Sequence, residues 1–483
     1  MGGPKRFCDG MTRRDLLTVG SLGLMGLAAR PASAATLPHF GRAKSCILMF
    51  LYGAASQLET FDPKPDAPSG IRGEFKCIPT SVPGVNFCEG LPRLARVMDK
   101  MSVVRSLTHP HPLHGAAFAL TGIPRISGPE ELNPRDPVHH PYIGSVVDYA
   151  DRLARRPGSE GPRNLLLPWS FSSQRVGEVA RAGPYGGYLG SAYDPIATEF
   201  VGEATVKARK TLLTKVWEDN EPYRGIHPDG RFRLGGAGAD AVAVDRLDRR
   251  RTLLEQLESA RRDLDQLPGS ASIDRNRSSA YALLASEKIR RAFDLGQETA
   301  ATRESYGMTL FGQASLTARR LVEAGSRFVS VFWDEYGLAG SGWDTHFDHF
   351  SRMKDELLPG LDLALSGLLT DLDNRGILDE TLVICVTEHG RTPTLSLGQG
   401  GGRDHWSRCY SSVMAGGGIA RGKIIGRSDK IASDPAERPV SPKDLLATAY
   451  HLLGIDPGLM LADRLGRPLP AAGDGVVVPE LLA

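Results

Sequence analysis

Short apolar stretches recur along this chain, separated by polar, glycine-rich segments. Two of them, Ser45–Leu51 and Thr381–Val386, are apolar apart from a leading hydroxyl residue and one cysteine. Such continuous runs are typical of parallel strands that are buried on both faces of a sheet. Residues 164–168 and 327–333 show a similar pattern. We therefore predict four strands in these positions.

Leucines at helical spacing predict helices between and around these strands. The strongest pattern, residues 357–375, lies between the strands at 327–333 and Thr381–Val386. The order strand, loop, helix, strand is that of a crossover unit in a parallel sheet. Weaker helical patterns predict a helical insertion over about residues 245–325. The fold class expected from the pattern is α/β, around a mostly parallel sheet with helical and loop insertions.

Length and composition are compatible with one large globular domain. The chain has 483 residues, of which 41% are hydrophobic, so it can bury a substantial core. Lysine and arginine total 58 against 56 aspartates and glutamates, which gives a net charge of +2. This balance shows no electrostatic footprint for nucleic acid, and we predict no nucleic-acid partner. The sequence gives no prediction of oligomeric state.

The first 34 residues have the pattern of an export signal. Arg13 and Arg14 precede an apolar run that ends near Ala29, and residues 32–34 supply small residues for cleavage. Paired arginines in this place indicate a twin-arginine signal, although an ordinary signal with two chance arginines is the alternative. The apolar run is too short for a comfortable membrane span. We predict a single domain over residues 35–483, exported to the periplasm, the cell surface or the medium, with no membrane span after signal removal.

Five cysteines remain after the signal, so no complete disulfide framework is predicted. Cys77 and Cys88 flank a turn rich in proline and glycine and could pair in an oxidising compartment. Cys46 and Cys385 lie within apolar runs and are expected to be buried thiols.

Candidate chemistry collects where the predicted strands end. After Ser45–Leu51 the chain offers two hydroxyls, Ser56 and Thr60, and two carboxylates, Glu59 and Asp62. The plain structural interpretation is a strand-to-loop turn with a capping serine. The loops after the later strands add a second set of acid and imidazole side chains: Asp344, His346, His349, Glu388, His389 and His405.

Carboxylate and imidazole together suit a divalent metal ion such as zinc, manganese, calcium or iron. Because the carboxyl ends of strands in α/β sheets are where ligands bind, the repetition of these pairs predicts a metal site at that edge. The alternative is that Glu388 and His389 are a solvated strand end and that Arg403 and Asp404 form a local ion pair.

Four stretches resemble a known family: residues 51–64, 342–346, 388–393 and 403–406. They are similar to the exported bacterial family called domain of unknown function 1501, which itself resembles the alkaline phosphatase and sulfatase superfamily. The resemblance covers essentially the whole mature chain. It implies an alkaline phosphatase-like α/β/α sandwich whose relatives are metal-dependent hydrolases of phosphate and sulfate esters.

Carried over residue by residue, the resemblance implies a site with departures from the superfamily pattern. Tyr52 and Gly53 stand where relatives have a metal-binding aspartate, so Glu59 or Asp62 would replace it. Asp348 stands where a further histidine would be expected. The implied nucleophile is Ser56 or Thr60, and Arg391 and Arg403 would bind the anionic ester. The implied metal ligands are Asp344, His346, Glu388, His389 and His405.

The leading hypothesis is an exported, metal-dependent hydrolase of sulfate or phosphate esters, acting on a small-molecule or glycan ester. The competing hypothesis is a non-catalytic binding protein that retains the fold. A Ser-His-Asp hydrolase is a third possibility, but Ser56 lacks the glycine pattern of a nucleophile elbow.

Export should require the arginine pair. Replacing Arg13 and Arg14 together with lysine should leave the protein in the cytoplasm, because the twin-arginine route depends on that pair. Cell fractionation followed by immunoblotting measures this. Undiminished protein outside the cytoplasm would show that another route carries it.

Overall fold

The computed structural model describes residues 37–112, 120–122, 133, 136–154, 162–176, 182–212, 215–235, 286–338, 340–398 and 400–483. The predicted signal, residues 1–34, lies outside this range. Residues 245–285, which form the first part of the predicted helical insertion, also lie outside it. Both therefore stay predictions.

A nine-stranded sheet forms the centre of the molecule. In chain order its strands are β1 (Ser45–Leu51), β2 (Met101–Leu107), β3 (Asn164–Leu167), β4 (Ile196–Val201), β5 (Arg231–Leu234), β6 (Phe328–Trp333), β7 (Thr381–Val386), β8 (Tyr410–Ala415) and β9 (Lys423–Ile425). Their order across the sheet is β5-β4-β3-β6-β1-β7-β8-β2-β9. Of these nine, β5 and β8 run against the other strands, so the sheet is mostly parallel, as predicted.

The helices are α1 (Ser69–Arg72), α2 (Pro92–Arg96), α3 (Ile143–Leu153), α4 (Glu287–Phe293), α5 (Ala300–Ser305), α6 (Leu310–Glu323), α7 (His349–Arg352), α8 (Leu358–Asn374) and α9 (Pro442–Leu452). A π-helical turn, Met353–Leu357, joins α7 to α8. Strong capping fixes some of these ends: at α9 the side chains of Ser441 and Asp444 form a reciprocal capping box. No helix in the described ranges is long and apolar enough to cross a membrane.

Strand β1 shows why the fold is a sandwich. All seven of its residues are buried. Because side chains alternate between the faces of a strand, Ile47, Met49 and Leu51 join one apolar core while the residues between them join the other. Helices α6 and α8 cover the first core, and α3 and α9 cover the second. The predicted α/β/α sandwich is confirmed.

Smaller two-stranded ribbons surround the sheet. Most are antiparallel: Cys77–Pro79 with Asn86–Cys88, Lys207–Leu212 with Lys215–Asn220, Gly390–Arg391 with His405–Trp406, Arg427–Ser428 with Pro435–Glu437, and Met460–Ala462 with Pro468–Pro470. Arg175–Val176 pairs in parallel with Gly337–Leu338. The ribbon of Gly390–Arg391 and His405–Trp406 begins just after β7. Its second strand brings His405 back toward the end of β7.

Candidate metal centre

Three neighbouring parallel strands, β6, β1 and β7, end at the same edge of the sheet. β1 lies between the two strands whose loops carry the acid and imidazole side chains. Its own loop therefore sits in the middle of the site. The Trp343 N–H donates to the Tyr52 carbonyl at 2.8 Å, which brings the loop after β6 across the end of β1.

Close approach of these loops explains the glycine after β1. Gly53 has φ of 105°, a left-handed conformation that side chains disfavour. A Cβ atom on Gly53 would lie 2.7 Å from the Trp343 nitrogen and closer still to that of Asp344. The Gly53 N–H donates to Glu388 Oε1 at 2.8 Å. Gly53 thus serves as a backbone contact between the ends of three strands.

Asp344, His346 and His405 bring their ligand atoms together within 4.8 Å of one another. The two Nε2 atoms of the histidines lie 3.0 Å apart. Asp344 Oδ1 is 3.0 Å from His346 Nε2 and 3.5 Å from His405 Nε2. Two imidazole nitrogens that share a zinc ion, each about 2.0–2.1 Å from it, have a similar separation. All three side chains are 16–28% exposed, so the cluster is open to solvent.

The outer nitrogens of both histidines have acceptors that fix the rings. His346 Nδ1 lies 2.7 Å from Asp404 Oδ1, and His405 Nδ1 lies 3.2 Å from the Pro112 carbonyl oxygen. Because an ionised carboxylate and a carbonyl only accept hydrogen bonds, each Nδ1 is the donor. In the neutral ring Nε2 is then left with a lone pair that faces the cluster. This is the arrangement by which proteins prepare histidine for a metal ion.

Glu388 and His389 border this cluster from the end of β7. Glu388 is fully buried, and its Oε2 accepts from Thr387 Oγ1 at 3.1 Å while Oε1 holds Gly53. His389, also fully buried, donates from Nδ1 to the Gly390 carbonyl at 2.8 Å. Its ring centroid lies 4.8 Å from that of His405. Within the described residues, the geometric cluster itself consists of Asp344, His346 and His405, so the role of Glu388 and His389 as ligands stays a prediction.

Glu59 lies in a separate buried network. Arg403 donates to its Oε1 from Nε at 3.1 Å and from Nη2 at 2.6 Å. His349 Nε2 is 3.2 Å from Oε2, and Ser56 Oγ donates to the same oxygen. Burial raises the pKa of Glu59, but the charges of Arg403 and His349 outweigh it and hold that pKa at about 2. His349, at the place next to Asp348, thus contacts Glu59, and burial lowers its own pKa.

The remaining loop candidates are buried and hydrogen-bonded locally. Ser56 is 1% exposed. Thr60 Oγ1 donates to the Ser56 carbonyl at 2.6 Å. Asp62 Oδ1 accepts from Lys64 Nζ at 2.9 Å, and its Oδ2 accepts from Ser428 Oγ. Their assignments as nucleophile or ligand stay predictions, and the structure places them in these networks.

Both predicted ester-binding arginines are fully buried. Arg403 makes five hydrogen bonds, to Glu59 and to the carbonyls of Thr392, Pro393 and Ile71, which matches the five donors of a guanidinium. Arg391 donates to the carbonyls of Ala54, Gly53 and Arg403 and to Asp344 Oδ1. In this structure both guanidinium groups therefore donate their hydrogen bonds to groups of the protein itself.

One buried histidine near the site was not among the predicted ligands. His109 Nε2 lies 2.8 Å from the Glu388 carbonyl oxygen, and burial lowers the pKa of His109 to about 4. It is one of three histidines in a short prolyl segment of the sequence, and the third, His114, lies outside the described residues. A neutral His109 supports the backbone between Glu388 and His389.

Comparison with family models decides the affiliation. The model described as "Protein of unknown function (DUF1501)" matches residues 43–482. The chain belongs to this family. The match contains all the strands of the central sheet and every residue of the candidate site. No curated protein sequence matches this chain.

Solved structures with a similar course of the chain include members of the alkaline phosphatase superfamily. The PsFucS1 sulfatase from Pseudoalteromonas sp. is 11% identical, with 92% of this chain and 73% of that chain covered and a TM-score of 0.40. A protein in the alkaline phosphatase superfamily from Vibrio parahaemolyticus has the same identity and coverages, with a TM-score of 0.36. The lipoteichoic acid synthase LtaP from Listeria monocytogenes is 11% identical over 88% of this chain and 76% of that chain, with a TM-score of 0.36.

Replacing Gly53 with alanine should destabilise this member of the DUF1501 family. The new Cβ would meet the backbone of Trp343 and Asp344 in a left-handed conformation, and we expect a loss of more than about 2 kcal/mol. Denaturant unfolding measures it. Gly70→Ala is the matched control because no atom lies near its Cβ position. Equal stability of the two variants would contradict the close approach.

Metal affinity should depend on the cluster and on Asp404. His405→Ala should remove most bound zinc or manganese, and Asp404→Ala should weaken binding about 10–100-fold because His346 loses its orienting acceptor. Calorimetric titration of metal-free protein measures both.

His227→Ala is the control, since His227 is 57% exposed and pairs with Asp229 outside the cluster. Circular dichroism should show each variant folded. Parent-like affinity in His405→Ala would exclude His405 as a ligand.

Proposed function

We propose that this protein is an exported, metal-dependent hydrolase of sulfate or phosphate esters. The observation that carries the proposal is the cluster of Asp344, His346 and His405, open to solvent at the carboxyl edge of the sheet. Two imidazoles and one carboxylate leave coordination positions for water or an ester oxygen. The substrate class we propose is a small-molecule or glycan ester.

The donor set favours some ions over others. Imidazole nitrogen suits zinc, manganese and iron, whereas calcium is usually bound by oxygen ligands alone. Of the four metals compatible with the sequence, calcium therefore fits these three residues least well. A bound divalent ion would polarise an ester oxygen and lower the pKa of water at the site.

Other side chains of this protein would orient the three residues that hold the metal ion. Asp404 and the Pro112 carbonyl fix the two imidazole rings. Arg391 donates to Asp344 Oδ1, which fixes this carboxylate and balances part of its charge. We propose that Arg391 acts through Asp344 as a positioning residue, and that Arg403 acts through Glu59 to hold the loop after β1.

The contacts of Ser56 bear on the identity of the nucleophile. Its hydroxyl donates to Glu59, whose pKa of about 2 makes this carboxylate a weak base. A buried serine without an effective base is a poor nucleophile at neutral pH. These contacts support water as the attacking oxygen and a supporting role for Ser56.

The alternative proposal is a binding protein that retains the fold without turnover. One observation favours it: both candidate arginines are hydrogen-bonded to protein groups. The family resemblance adds that an acidic ligand would be expected where this chain has Tyr52 and Gly53. A binding protein would still take up the metal ion. Turnover therefore separates the two proposals.

Hydrolysis of aryl sulfates and phosphates provides the test. Metal-loaded protein should release 4-nitrophenol, and a chelator or His346→Ala should abolish the release. Ser56→Ala should lose less than about tenfold in kcat/KM, since loss of a covalent nucleophile costs far more than 10³-fold.

A loss larger than that, in a Ser56→Ala variant whose circular dichroism is unchanged, would restore Ser56 as the nucleophile. No turnover of a broad ester panel by metal-loaded parent protein would favour the binding-protein alternative.

A further inference from the structure

The ribbon of Cys77–Pro79 and Asn86–Cys88 places two cysteines directly opposite each other. Thr80 N–H donates to the Val85 carbonyl at 3.0 Å, and Glu89 N–H donates to the Lys76 carbonyl at 2.9 Å. These bonds identify Thr80 and Val85, and likewise Lys76 and Glu89, as hydrogen-bonded pairs. Because such pairs alternate along an antiparallel ladder, Cys77 and Cys88 form a non-hydrogen-bonded pair.

This type of pair has the geometry that a disulfide needs. Its Cα atoms lie about 4.5 Å apart with both side chains on the same face. Disulfides accept Cα separations of roughly 4.4–6.8 Å. We propose that Cys77 and Cys88, both thiols in this structure, form a disulfide in the exported protein. The proposal is independent of the metal centre.

The position of the ribbon gives the bond a structural consequence. Cys88 N–H donates to the Thr60 carbonyl at 2.9 Å, and Arg105 Nη2 donates to the Asn86 carbonyl at 2.8 Å. The ribbon therefore supports the loop that carries Glu59 and Ser56. A disulfide between its strands closes a short loop with two prolines and restricts the unfolded chain.

The two thiols differ in access, which sets the order of reaction. Cys77 is partly exposed, whereas Cys88 is 1% exposed. Burial raises the pKa of Cys77 and raises that of Cys88 to about 12, so oxidation is slow in the folded protein. The oxidant is a low-molecular-weight or protein disulfide.

The exchange balances in two steps. The Cys77 thiol loses its proton to solvent, and the thiolate attacks one sulfur of the oxidant's disulfide and releases the other as a thiolate, which takes up a proton. Cys88 then loses its proton to solvent, and its thiolate attacks the Cys77 sulfur of the mixed disulfide and releases the second thiolate, which takes up a proton. The two cysteines lose two electrons, and the oxidant gains them.

Two other described cysteines, Cys46 and Cys385, have no such geometry. Cys46 pairs in register with Leu382, and Cys385 pairs with Met49, so the two thiols on β1 and β7 are three positions out of register. At about 3.3 Å per residue this offset is too large for a bond. Together with the buried Cys409 they serve as internal controls.

Peptide mapping tests the proposal directly. Cys77 and Cys88 lie in one tryptic peptide, residues 77–93, because no lysine or arginine separates them. After the folded protein is equilibrated with oxidised and reduced glutathione, then denatured and alkylated, this peptide should carry no alkyl group. Its mass should be two hydrogen atoms lower than in the reduced peptide. Peptides with Cys46, Cys385 and Cys409 should be alkylated.

Two alkyl groups on residues 77–93, or a stable glutathione adduct on Cys77, would overturn the proposal. The oxidised parent should also melt a few degrees higher than the reduced parent, and Cys77→Ser should abolish this shift. An equal shift in Cys77→Ser would assign the stabilisation to another bond and contradict the proposed one.

Discussion

A buried guanidinium, that of Arg391, holds the candidate site together. A charge fully withdrawn from water is costly unless hydrogen bonds and an opposite charge compensate it. Here the carbonyls of Gly53, Ala54 and Arg403 and the carboxylate of Asp344 supply that compensation. These groups come from the loops after β1 and β6 and from the segment before His405. The one side chain thus ties together the segments on which the cluster depends.

A second buried ion pair extends this arrangement away from the metal ligands. Arg403 donates to Glu59 and to the carbonyls of Ile71, Thr392 and Pro393. It therefore anchors the loop after β1 to the segment at Ile71 and to the segment that follows β7. The partly exposed cluster therefore rests on a fully buried polar layer. Functional groups held in this way by a supporting shell keep their geometry with little reorganisation.

The sequence predicts the frame of this protein well because buried parallel strands have a strong local signature. The bounds of β1 and β7 are as predicted, and acid and imidazole groups from the segments that follow β6 and β7 meet at one edge. The direction of β8, which runs antiparallel between β7 and β2, has no such signature. It depends on pairing between distant segments.

The sequence alone does not predict the hydrogen-bond partners of the charged side chains. Arg391 lies 47 residues from Asp344, and Arg403 lies 344 residues from Glu59. No local pattern tells whether such an arginine faces a substrate or a carbonyl. What does distinguish Gly53 is its backbone conformation, and only the packed loops show why a side chain is excluded there.

Anomalous diffraction from crystals of protein purified after export in its native host tests the central claim most directly. Data collected at the zinc, manganese and iron edges should show one peak, about 2.0–2.2 Å from a carboxylate oxygen of Asp344 and from Nε2 of His346 and His405. A peak elsewhere, such as beside Glu59 and Asp62, would contradict the account. So would the absence of any anomalous peak at this edge of the sheet.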